Sequence, residues 1–80
     1  MSKLTYVLNT YKIKRRNMAT VSEIIRKIKR KTKCYIVRHG AEHDIWLNPE
    51  TGIEFTIPRH PSRELKSGTA RNILRAAGLL

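Results

Sequence analysis

Residues 40–60, GAEHDIWLNPETGIEFTIPRH, constrain the fold of this chain more than any other stretch. His43, Ile45 and Leu47 alternate with Asp44, Trp46 and Asn48, which is the period-2 pattern of a strand. Asn48-Pro49-Glu50-Thr51-Gly52 then reads as a turn. Pro49 presets φ for a type I turn and Gly52 supplies the positive φ that closes it. The chain returns with Ile53, Phe55 and Ile57 set against Glu54 and Thr56, and Pro58 ends the strand because it has no N–H for a ladder. A lone hairpin is marginal in water. Its apolar face must be covered, and the flanking segments are the available cover.

Thr20-Val21-Ser22-Glu23 has the form of a capping box, in which the Thr20 hydroxyl accepts from the Glu23 amide and the Glu23 carboxylate reaches back. Val21, Ile24, Ile25 and Ile28 follow at helical spacing, so a helix is expected over residues 21–32. Cys34 to His39 is a run of β-formers and reads as a first strand. Residues 59–66, with Pro61, read as a loop. Ser67-Gly68-Thr69 opens a last helix in which Ala70, Ile73, Leu74 and Ala77 share a stripe, with Gly78 as its C′ residue and Leu79 placed for the contact after such a cap. Helix, three antiparallel strands, helix: two narrow amphipathic helices must lie on one face of the sheet, giving an α+β sandwich of two layers. Residues 20–80 hold this domain. Residues 1–19 form an extension that reads as a basic tail or a short edge strand within 5–13, and Met18 offers a second start.

Of 80 residues, 17 are Lys or Arg and 6 are Asp or Glu, a net charge of +11. The excess is local. Residues 1–33 carry eleven basic groups and one acidic, whereas residues 34–80 are nearly neutral. Six cations fall within residues 26–33 and repel one another. A solvated face is the plain explanation. A polyanion bound against them explains why the repulsion is tolerated, since counterion release alone gives non-specific affinity for nucleic acid. The single Cys34 cannot form an internal disulfide, which suits a reducing cytoplasm. No apolar run approaches the roughly 20 residues of a membrane span, so no membrane partner is expected, and the N-terminus makes a poor signal peptide.

The sequence has no nucleophile triad, glycine-rich phosphate loop or convincing carboxylate cluster. Cys34, His39, His43 and His60 match no common zinc spacing, so no metal is expected. A histidine beside a polybasic surface nevertheless has a simple chemistry. RNA carries its own nucleophile, the 2′-hydroxyl. An imidazole, whose unperturbed pKa is about 6.5, can take that proton or give one to the leaving oxygen, without metal or cofactor. Glu42 and Asp44 flank His43 and would favour its charged form if they lay close in space. On residues alone a strand histidine is more often structural than catalytic.

The ordered set of motifs resembles the HicA-type toxins of bacterial and archaeal toxin–antitoxin pairs. The matching pieces are the first helix, Tyr35-Ile36-Val37-Arg38, Gly-x-x-His-Asp-Ile-Trp at 40–46, Asn-Pro-Glu-Thr-Gly at 48–52, Ile-Pro-Arg-His at 57–60, and Glu-Leu-Lys-Ser-Gly-Thr-Ala-Arg-Asn-Ile-Leu at 64–74. The resemblance runs from about Ser22 to Leu80. It implies a fold like the double-stranded RNA-binding domain, α-β-β-β-α, and a ribosome-independent mRNA endonuclease that arrests growth when free. It also implies a HicB-type antitoxin covering the active face, and a catalytic histidine at the position of His43. Residues 1–19 have no counterpart in the family pattern, and Glu42 stands where many members carry a small or basic residue. His60 lies in a family-like position, for which a structural role is favoured over a catalytic one. Lys27, Arg30, Lys31 and Arg38 are candidate phosphate contacts. Lys66 and the amides of Ser67, Gly68 and Thr69 are a further candidate at a helix start. The competing readings are a non-catalytic module for double-stranded RNA, and a basic helix that chiefly docks the antitoxin.

Overall fold

The structure, a computed structural model, describes residues 18–80. The tail or edge strand expected within 5–13 lies outside the described residues. The elements are β1 (Met18–Thr20), α1 (Val21–Lys31), β2 (Tyr35–His39), β3 (His43–Asn48), β4 (Ile53–Pro58), β5 (Glu64–Lys66) and α2 (Ser67–Ala77). β2, β3 and β4 form the expected antiparallel meander in that order. This is the α+β arrangement of the double-stranded RNA-binding domain, with one addition.

The addition corrects the loop expected at 59–66. Its last three residues are β5, which pairs antiparallel with β1, Met18 opposite Lys66. Three residues are too few to show a period, so the pairing left no mark in the hydropathy pattern. The remaining loop has a structural task. Arg63 and Pro61 offer their carbonyls to the Val21 and Ser22 amides at 2.9 and 3.0 Å. The capping box forms as expected: Glu23 N donates to Thr20 Oγ1 at 3.2 Å, and Thr20 N donates to Glu23 Oε1 at 2.9 Å. Three amides of the first turn of α1, which have no partner within the helix, are thereby satisfied.

One core unites the layers. Val21, Ile24 and Ile28 of α1 meet Ala70, Ile73 and Ala77 of α2 over Trp46, Phe55 and Ile57 of the sheet. Trp46 lies opposite Phe55 across β3 and β4, their rings 6.4 Å apart and stacked. The turn expected at 48–52 forms, with Gly52 at φ 77° and its amide donating to the Asn48 carbonyl. Asn48 is buried and bonded at both ends of its amide. Its Oδ1 accepts from the Glu50 amide at 3.0 Å, and its Nδ2 donates to the Ala76 carbonyl at 3.0 Å, which ties the hairpin turn to the end of α2. That end is capped as expected. Gly78 is left-handed at φ 91°, and Leu79 N donates back to the Leu74 carbonyl at 2.8 Å.

β2 is not a regular strand. Its register slips between Ile36 and Arg38, a bulge at Val37. One extra residue flips the facing of all that follow. Ile36 pairs with Trp46, yet Arg38 pairs with Ile45, on the opposite side of β3, and His39 pairs with Asp44. The bulge thus turns Arg38 toward Glu54 and His39 toward Asp44.

Candidate functional site

His43 opens β3 directly after a tight connection from β2. That connection is held from three directions. Gly40 N donates to the His43 carbonyl at 2.7 Å, and a Cβ on Gly40 would stand 2.9 Å from the same oxygen, so only glycine fits without a shift. Arg59 N donates to the Glu42 carbonyl at 3.2 Å. The Arg59 guanidinium donates to the Gly40 carbonyl and, through Nε, to Asp44 Oδ1 at 3.2 Å. The backbone carrying the histidine is therefore fixed, while the imidazole is exposed and has no hydrogen-bond partner among the described residues.

Among the described residues neither Asp44 nor Glu42, the two acidic neighbours of His43 in sequence, is bonded to its ring. Adjacent strand residues face opposite sides. Asp44, only 14% exposed, meets His39 Nδ1 at 2.7 Å and Arg59 instead. The His39 hydrogen bond, with the Arg59 cation adding to it, holds the Asp44 carboxyl below its ordinary value of 3.8 against the opposing effect of partial burial. Asp44 steadies the loop around His43.

His43 lines a cleft of about 300 Å³ between β4 and α2. Phe55, Thr56 and Pro58 form one side and Thr69, Asn72 and Ile73 the other. Thr69 is a residue expected at the site. Lys66 is the N-cap of α2, and Gly68 lies with Thr69 in its first turn, both exposed. No side chain caps this helix start, so its first amides and the positive end of its dipole are directed at whatever occupies the space beyond them. The structure therefore brings together His43 and the start of α2.

The other expected residues lie apart. Lys27, Arg30 and Lys31 line a groove of about 200 Å³ on α1 with Arg26 and Glu23. Arg30 and Lys31 also line a hollow of about 310 Å³ with Lys33, Asn48 and Gly78, at the far end of α2. From Thr69 to Ala77 is about 12 Å along the helix axis. Lys29, Arg30 and Lys31 occupy the last turn of α1, where they also complement its negative end. Arg38 is engaged, its NH2 bonded to Glu54 Oε1 at 2.9 Å. The loop residue His60 accepts the Arg63 amide on its carbonyl and does not line the cleft, and His39 is held by Asp44. Among the described residues no three His, Cys, Asp or Glu side chains converge as a metal site would need, and no helix is long and apolar enough to cross a membrane.

Two site residues were not anticipated. Arg59 follows from the hairpin register, because pairing His43 with Pro58 sets the next residue opposite Glu42. Asn72 stands three residues after Thr69, a spacing that places both on one helix face.

Comparison with curated proteins and with solved structures gave no match. The family comparison did: residues 21–79, which span both helices, the hairpin and the cleft, match the model described as the HicA toxin of bacterial toxin-antitoxin, and the chain belongs to that toxin family.

Proposed function

We propose that this toxin is a metal-independent endoribonuclease that cuts mRNA at the cleft between β4 and α2, with His43 as general acid or base. The observation that carries the reading is that His43 shares one cleft with the uncapped start of α2. Cleavage needs two things at one phosphate. The 2′-oxygen must lose its proton as it attacks phosphorus, and the 5′-oxygen must gain one as its bond breaks. An imidazole with no competing partner can serve either transfer. The pentacoordinate phosphorane also gathers negative charge, and the Gly68 and Thr69 amides and Lys66, at the start of α2, are the donors assigned to it in this scheme. The products are a 2′,3′-cyclic phosphate and a 5′-hydroxyl.

The basic face of α1 holds flanking phosphates in this scheme, roughly a helix length from the chemistry. Membership in a toxin–antitoxin family implies an antitoxin partner. We assign it to the HicB type, whose binding closes the cleft.

The test is cleavage of RNA by purified protein in EDTA, wild type beside His43→Ala, with both folds checked by circular dichroism. Cutting by the wild type alone, with cyclic-phosphate ends, is the expected result. Equal cutting by a folded mutant would remove His43 from catalysis. Binding without cutting by either protein would leave a non-catalytic RNA-binding module.

A further inference from the structure

The His43 cleft is larger and more varied than proton transfer to a phosphate requires. Resting on the nuclease reading above, we infer that it is also a nucleobase subsite: a base next to the cut phosphate enters the cleft, and Asn72 reads its edge, so that cleavage is base-selective.

Three features favour this occupant. The volume, about 300 Å³, is at the lower limit of small-ligand clefts and suits one base with its sugar rather than a longer segment. Its wall is apolar where Phe55, Pro58 and Ile73 contribute, with Thr56, Thr69 and Asn72 as polar groups. A nucleobase has the same division, an apolar face and a polar rim, and single-stranded RNA is commonly recognised by seating splayed bases against aromatic side chains. β4 is moreover the edge strand of its sheet, paired on one side by β3. A row of backbone N–H and C=O groups on its other side is open to a base rim.

Asn72 is the discriminating group. Arg75 NH1 donates to its Oδ1 at 3.3 Å. Its Nδ2 has no partner among the described residues. Because Asn72 lines the cleft, this amide is a donor available to an occupant, and a base offering it an acceptor is preferred.

Asn72→Asp tests this with little disturbance, because the retained oxygen keeps the Arg75 contact while the donor becomes an acceptor. The probe is an RNA pool randomised at every position, cut by wild type, Asn72→Asp and Asn72→Leu, with cut sites read by sequencing and His43→Ala as the uncut control. Base frequencies beside the cut are ratios within one enzyme, so a uniform loss of affinity from the added charge does not alter them. The expected result is an uneven wild-type preference at one flanking nucleotide. That preference shifts by about 3- to 10-fold in Asn72→Asp, the worth of one hydrogen bond, and flattens in Asn72→Leu. Identical base frequencies in all three proteins would overturn the subsite and leave the His43 nuclease intact. A wild-type pool left uncut would overturn both and leave the β4 edge open to a protein strand.

Discussion

The His43 cleft and the cationic face of α1 divide the work of a small RNA-directed protein in opposite ways. The α1 face belongs to a single helix. Its cations lie within a few positions of one another in sequence, and its charge is high. The cleft takes residues from β3, β4 and α2, and none of the residues that line it is a lysine or an arginine. Long-range attraction needs charge but little precision, and exposed cations on one helix supply it. Proton transfer needs placement within a fraction of an ångström, which requires elements locked by packing and hydrogen bonds. The Gly40, Arg59 and Asp44 bonds around the His43 backbone supply that lock.

The two regions should differ most at His43 and at the α1 cations. His43→Ala is expected to lower the cleavage rate by about 10²- to 10⁴-fold while RNA affinity stays within a few-fold. Charge reversal of Lys27, Arg30 and Lys31 together should do the converse: weaker binding, a salt slope shallower by roughly two, and cleavage that recovers as RNA is raised. Filter binding across a salt series, beside single-turnover cleavage, reads both. An unchanged slope in the triple variant would remove α1 from the RNA interface and favour a docking face for the antitoxin.

Asp44→Asn probes the lock itself. The folded carboxyl titrates below its unfolded value, so it carries fewer protons folded than unfolded. Its stabilising contribution is complete above about pH 4 and is lost as pH falls through the lowered folded value. Urea midpoints should therefore show the variant less stable than wild type at pH 7, with the gap narrowed at pH 3. A gap independent of pH would mean that the carboxylate charge has no part in holding the loop.

The smallest effect separates the two ends of α2. Gly78, at the end near the basic hollow, is left-handed, and Gly78→Ala should cost about 1 kcal/mol or more. Gly68, at the cleft end, lies in the first helical turn with nothing within 4 Å of an added Cβ. Gly68→Ala should instead stabilise by about 0.5–1 kcal/mol. Opposite shifts of Tm in thermal melts are the check, and a destabilised Gly68→Ala would show that this end needs glycine's freedom.

Much of the fold was legible because its signals are local. The Thr20 to Glu23 capping box, the isoleucine stripe of α1, the Asn48 to Gly52 turn and the Gly78 cap each involve residues within about five positions of one another. Such contacts form wherever the segment sits. The position of His43 at the head of a strand, and the family to which the chain belongs, were legible for the same reason, as ordered runs of residues.

Where the helices and hairpin begin and end, and which residues carry charge, could be read from the order of the residues. Tertiary structure alone decided which of those residues meet. Asp44 adjoins His43 in sequence but faces His39 and Arg59, because a strand alternates sides and the Val37 bulge brings His39 onto the Asp44 side. β1 and β5 found each other across nearly the whole domain through a ladder too short to carry a period. Thr69 and Asn72 reached His43 because the shared core seats α2 against β4. Pairings of this kind depend on register and layer packing, and no window of neighbouring residues contains them.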